Sequence, residues 1–254
     1  MCLILFAYGQ SKDYPLIVIS NRDEFYARPT RSAHWWEDSS DTFGGRDLEA
    51  QGTWMGVNRQ GRFAAVTNVR ELDQNQLSQR SRGDLTREFL TGSESVSQFL
   101  AKITSRQDDY AGFNLLIGDG NQLWSYSNRQ PSIQKLTPGF HGVSNGLFGE
   151  PGPKLTSGIK ALEQTLFGGA DDDALIEIMA SRQQVPDALL PTTGMPLEKE
   201  RQLSSRFVQL PDYGTRASTL IKFSNQSTVS FTEQTFNPET NQKTRINETF
   251  SIQS

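Results

Sequence analysis

The chain is poor in the residue types that build most small catalytic centres. Its 254 residues hold one cysteine, Cys2, and two histidines, His34 and His141. A single cysteine forms no disulfide within the chain, so nothing in the sequence asks for an oxidising compartment. The histidines stand far apart, and a His-based triad or metal centre would need folding to bring them together. Each reads as an ordinary surface or core residue. No apolar run approaches the ~20 residues that cross a bilayer. The opening run Cys2 to Tyr8 is short, has no basic leader, and reads as a strand, not a signal. Charge of one sign is missing too: 25 Lys and Arg stand against 29 Asp and Glu, a net of −4 without a basic patch. That balance excludes nucleic acid or an anionic membrane as the main partner. There is no Gly-rich phosphate loop, no paired-cysteine metal spacing and no serine nucleophile elbow. These absences lead to a cytoplasmic protein with no integral membrane segment and no resident cofactor.

What is present is organised by strands at both ends and helices in the middle. Leu3 to Tyr8 and Leu16 to Ser20 are buried-strand runs joined by the turn Gly9 to Pro15. Asn21-Arg22-Asp23-Glu24 follows where the second strand is expected to end, and an irregular stretch then runs through Trp35-Trp36 to Asp47. Gly52 to Asn58 and Gly61 to Asn68 read as two more strands. Helical spacing follows over Ser81 to Leu90, Ser93 to Ile103, Lys154 to Leu166 and Asp171 to Ala180. The Asp171-Asp172-Asp173 run suits a helix start, where carboxylates meet exposed amides. Phe113 to Ile117 and Gln122 to Tyr126 flank a hairpin turn, and Phe140 to Ser144 is a strand ending at Asn145. Arg216 to Phe223, Thr228 to Phe236 and Thr244 to Phe250 are the last strands, and Gln184 to Glu200, with three prolines, reads as one long loop. Without internal repeat or low-complexity linker, residues 1–254 read as one α+β domain of antiparallel sheets with helices packed over them.

Chemistry concentrates at the strand ends. Cys2 sits directly behind the initiator methionine, and removal of Met1 would leave a thiol beside a free α-amine. That amine titrates near 7.7–8.0 and can take the thiol proton as sulfur attacks a carbonyl. Arg22 and Asp23 close the second strand, and Asn68, Asn145 and Arg216 lie at the edges of later ones. If these edges meet, Asp23 can orient the amine and Arg22 can favour thiolate. Asn68 or Asn145 can donate to a tetrahedral oxyanion, worth about 2.7–4 kcal/mol per donor.

The motifs Met1-Cys2, Asn21 to Pro29, Gly44 to Leu48, Gly52 to Asn58, Gly61 to Glu71, Ser81-Arg82-Gly83, Gly112 to Asp119, Ser144-Asn145-Gly146, Pro153-Lys154, Leu203-Ser204-Ser205 and Gly214-Thr215-Arg216 run through almost the whole chain. In this order they resemble the NRDE proteins, also called transport and Golgi organisation protein 2-like. That family is similar to the N-terminal nucleophile hydrolases, above all the cysteine branch with penicillin V acylase and bile-salt hydrolase. The resemblance implies a four-layer αββα sandwich of two mostly antiparallel sheets. Within that branch the pattern after strand two is Arg-Asn-x-Asp, which lays its Asn on Asn21 and its Asp on Asp23. Its Arg falls on Ser20, so Arg22 is a substitute. Residues 20 and 22 share a strand face. By the same resemblance Asn145 stands for the oxyanion asparagine and Arg216 for the C-terminal strand arginine.

Two functional expectations follow. The first is an amidohydrolase that cleaves a non-peptide C–N bond of a small-molecule amide through a Cys2 thioester. The second is a carrier on the same scaffold for haem or a lipid-like ligand, with Cys2 as an axial thiolate or simply structural. Eukaryotic members of the resembled family are associated with secretion, Golgi organisation, lipid balance and haem trafficking. Fold alone does not choose between these readings.

Overall fold

A computed structural model of the chain describes residues 2–70, 79–191, 194–238, 240 and 242–253. Met1 and Glu71, which belong to motifs read above, lie outside them, as do residues 192 and 193 of the expected long loop. The described elements, in chain order, are β1 (Cys2–Tyr8), β2 (Leu16–Phe25), β3 (Thr30–Trp35), β4 (Thr42–Asp47), β5 (Met55–Asn58), β6 (Phe63–Asn68), α1 (Arg82–Thr91) and α2 (Val96–Thr104). Then come β7 (Phe113–Gly118), β8 (Leu123–Ser127), β9 (Gln130–Lys135), β10 (Gly139–Val143), α3 (Pro153–Phe167), α4 (Asp172–Glu177) and α5 (Leu197–Gln202). The chain closes with β11 (Tyr213–Phe223), β12 (Thr228–Phe236) and β13 (Lys243–Ser251).

One sheet has the order β10-β1-β2-β11-β12-β13 and the other β3-β4-β5-β6-β7-β8-β9. Alternation along the strands divides the core into three layers. Ile4, Phe6 and Val18 point between the sheets, where they meet Phe43, Val57 and Phe63. Leu3, Leu5, Ile17 and Ile19 point the other way, against Leu155, Leu162 and Ile176 of α3 and α4. On the far side, Ala64, Leu115 and Ile117 pack under Leu85, Phe89 and Phe99 of α1 and α2. Each fully buried Leu, Ile or Phe supplies about 1.5–3 kcal/mol. The result is the expected four-layer αββα sandwich.

Several local expectations change. Asn21 to Glu24 does not follow the second strand but lies inside it, because β2 runs on to Phe25, paired with β1 as far as Arg22 and with β11 as far as Phe25. The stretch expected to be irregular holds β3 and β4. β9 lies where no strand was expected, and its six residues are all exposed, so no alternation marked it. The last residues of the expected long loop, from Leu197, belong to α5, which runs on to Gln202. The aspartate run is a cap: Asp171 accepts from the Ala174 amide, while Lys222 and Arg245 hold Asp172 and Asp173. No helix among the described residues is long and apolar enough to cross a membrane.

Candidate active site at the amino-terminal strand

The β1–β2 hairpin sets the first pair. Tyr8 faces Leu16 across the turn, and the antiparallel register then brings Cys2 opposite Arg22. Directly opposed residues share a face, so thiol and guanidinium both point toward the second sheet. There Arg22 lies over the Trp54 indole at 4.3 Å and donates to Thr30 at 3.1 Å. The carboxylates of Glu24 and Asp47 stand 3.7 and 3.6 Å from its guanidinium. Trp54 reaches this place across a glycine: a Cβ on Gly45 would collide with the indole Cη2. That approach gives the Gly44-Gly45 motif its reason.

Asn21 and Asp23 face the helices. Asn21, fully buried, donates from Nδ2 to the Met179 and Arg206 carbonyls at 2.8 Å each and accepts from Ser218 at 2.6 Å. Asp23 is 1 % exposed and accepts from the Thr215 hydroxyl at 2.7 Å. Burial holds its carboxyl above the usual carboxylate range, opposed by the positive charges of Lys154 and the amino terminus and by the Thr215 bond. Burial likewise pushes the half-buried Cys2 thiol up; the amino-terminal charge opposes this most, and Arg22 adds to that opposition.

Cys2, Arg22, Asp23 and Asn68 line one cleft of about 520 Å³, with Arg80 and Arg82 on its far wall. The far wall is held close by a glycine pair, because a Cβ on Gly52 would meet the Gly83 carbonyl carbon at 2.5 Å. Asn145 lines a neighbouring cavity of about 510 Å³. It touches the cleft through Asn68, whose carbonyl accepts from Asn145 Nδ2 at 2.9 Å, while the Arg70 amide donates to the Asn145 carbonyl at 2.8 Å. The bond to Asn68 fixes the carboxamide's orientation, since the flipped form would set oxygen against oxygen. One Nδ2 hydrogen is therefore spent and the second remains. Arg216 is displaced by a bulge in β11, where Thr215 pairs with Asp23 and Ala217 with Arg22. Its guanidinium donates to the carbonyls of Phe25, Tyr26 and Arg28, at 3.0 to 3.2 Å, and so braces the turn after β2. It does not line the Cys2 cleft.

Lys154 was read only as a helix start. It lies in the first turn of α3, lines the cavity of Asn145 and donates to the Leu203 carbonyl at 3.3 Å. Burial lowers its pKa, against the pull of Asp23 and Cys2. The Pro153-Lys154 motif was its one sequence signal, because proline favours the first helical position and leaves the next side chain at the strand ends.

Sheet order and layering give the fold of the N-terminal nucleophile hydrolases. A solved Caenorhabditis elegans N-acylethanolamine-hydrolyzing acid amidase ortholog shares this fold, with TM-score 0.50 and 10% identity over 87% of this chain and 92% of that one. So does a variant of conjugated bile acid hydrolase from Clostridium perfringens, also with TM-score 0.50 and 10% identity, over 99% of this chain and 97% of that one. The chain belongs to the Transport and Golgi organisation 2 family, whose model matches residues 1–238. The Transport and Golgi organization protein 2 homologs of Bos taurus and Homo sapiens are 35% and 34% identical to it, covering 92% of each chain. The Drosophila melanogaster protein of the same name is 25% identical over the same share of each chain.

Proposed function

We propose that the protein is an amidohydrolase whose nucleophile is the thiol of Cys2, freed by removal of Met1, acting on a non-peptide C–N bond of a small amide. The observation that carries this reading is the shared cleft, which Cys2, its cross-strand partner Arg22, Asp23 and Asn68 all line. Because burial pushes the thiol up, a standing thiolate is disfavoured, and the base must take the proton as the bond forms. The α-amine of Cys2 does this, held by Asp23, while sulfur attacks the carbonyl carbon and its oxygen becomes negative. Asn68 faces that oxygen, and Asn145 positions Asn68. As the tetrahedral intermediate collapses, the C–N bond breaks and the ammonium returns its proton to the departing amine. Water then attacks the thioester, giving up a proton to the same amine, and the acid leaves with the thiol restored.

A haem or lipid carrier on this scaffold is the rival expectation, and the cavities support it less. The cleft that holds the thiol is walled by charged side chains. The more apolar cavity, with Leu147, Leu155, Leu190 and Leu203, is lined by no cysteine or histidine among the described residues. The test is turnover of a panel of chromogenic non-peptide amides by protein whose intact mass shows methionine removed. Hydrolysis lost in Cys2→Ala supports the reading. Equal rates in wild type and Cys2→Ala, or none with any amide beside a haem Soret shift that Cys2→Ala abolishes, refute it.

A further inference from the structure

Another cavity, of about 300 Å³, shares Arg22 and Trp54 with the Cys2 cleft and is lined further by Thr30, Arg216, Glu233 and Thr235. Glu233 projects into it from β12 and is 1 % exposed. Its Oε1 accepts from the Ala33 amide at 2.7 Å, which ties β12 to β3 across the sheets. Its Oε2 is buried without a hydrogen bond of normal geometry among the described residues, the Thr219 hydroxyl on the neighbouring strand being the donor beside the carboxyl. A buried carboxylate oxygen left so is disfavoured relative to a fully paired one. Two arginines line the same cavity: Arg22, approached by Glu24 and Asp47 at 3.7 and 3.6 Å, and Arg216, held by three carbonyls, and Arg22 is among the influences that lower the Arg216 pKa, after burial. An anion between the two would relieve that repulsion, and a cationic donor would complete Glu233. The two demands lie within one small space.

We propose that this cavity binds a small α-amino acid, its ammonium on Glu233 Oε2 and its carboxylate between the guanidinium groups of Arg22 and Arg216. This goes beyond the hydrolase reading and does not depend on it, because no part of the site uses Cys2. The charged groups facing Glu233 are Arg22 from β2 and Arg216 from β11, with the Ala33 amide from β3 and the Thr219 hydroxyl on the neighbouring strand. Burial pushes the Glu233 carboxyl up to about 7. A bound ammonium needs it ionised, so affinity rises with pH, by about tenfold from pH 6 to pH 8.

Calorimetric titration of the full chain with L-alanine tests this. Binding is expected for wild type and for Cys2→Ala alike, at least tenfold weaker for Glu233→Gln. On wild-type protein, N-acetyl-L-alanine, which lacks the ammonium, and L-alaninamide, which lacks the carboxylate, should each lose at least tenfold, so the test survives if Glu233→Gln fails to fold. No heat from L-alanine at pH 8, or equal binding of L-alanine and both derivatives, overturns the proposal. Loss of binding in Cys2→Ala with Glu233→Gln unchanged would place the ligand in the catalytic cleft and overturn it as well.

Discussion

Along β2, Ser20 and Arg22 face the second sheet while Asn21 and Asp23 face the helices, and the two pairs live in different surroundings. Arg22 sits among carboxylates, an indole and a hydroxyl beside the cleft. Asn21 is satisfied from three sides by the helical layer and β11. Strand alternation thus gives four consecutive polar residues two surroundings: one face lies beside the thiol, and the other ties the strand to the helices and to β11. Asp23 stands at the boundary, anchored by Thr215 yet exposed to the charges of Lys154 and the amino terminus.

Substitutions should separate the two faces. The largest effect is expected for Cys2→Ala, which should reduce amide turnover to background while leaving the thermal midpoint unchanged; a variant that unfolds would make Cys2 structural. Asp23→Asn comes next, with a loss of about 10²-fold in kcat from the misheld amine and near-normal stability, because it removes a buried charge. Asn21→Ala should do the reverse. It strands the carbonyls of Met179 and Arg206 and should cost about 2–4 kcal/mol in denaturant unfolding, with the rate per folded molecule retained. Arg22→Gln should have the smallest effect, a shift of the pH profile of Cys2 alkylation to higher pH. In wild type the raised thiol pKa predicts that iodoacetamide labelling still climbs above about pH 8.5, the ordinary midpoint of a free thiol. A plateau near neutrality would show a preformed thiolate and contradict the concerted base step.

How much of this was legible depends on whether local pattern or distant pairing controls each part. The β1–β2 hairpin was readable, because two apolar runs flank the turn from Gly9 to Pro15, and the helices announced themselves by spacing. The family resemblance carried the layer order. β3 and β4 were missed because Gly44, Gly45, Arg46 and Asp47 lack strand propensity; their partners across the sheet decide them. β9 and α5 carry no buried periodicity at all. Within the site, Cys2, Arg22 and Asp23 are joined by one hairpin, whereas Asn68 and Asn145 meet through a hydrogen bond between two sheets. Arg216 looked equivalent in sequence, but a bulge turned it onto the carbonyls of residues 25, 26 and 28. Lys154 was marked only by the Pro153-Lys154 motif and Glu233 by nothing, since their surroundings arise from burial beside charges far away in the chain.

The central claim is that the sulfur of Cys2 becomes acylated beside its own free amine. Intact-mass measurement of wild-type protein, quenched in acid seconds after mixing with an activated amide, tests it in one spectrum. The account predicts a species lacking methionine that carries one acyl group, mapped by fragmentation to Cys2 and lost when the unquenched reaction is left to turn over. Protein that retains Met1, or an acyl group that maps to a lysine and stays bound, would contradict it.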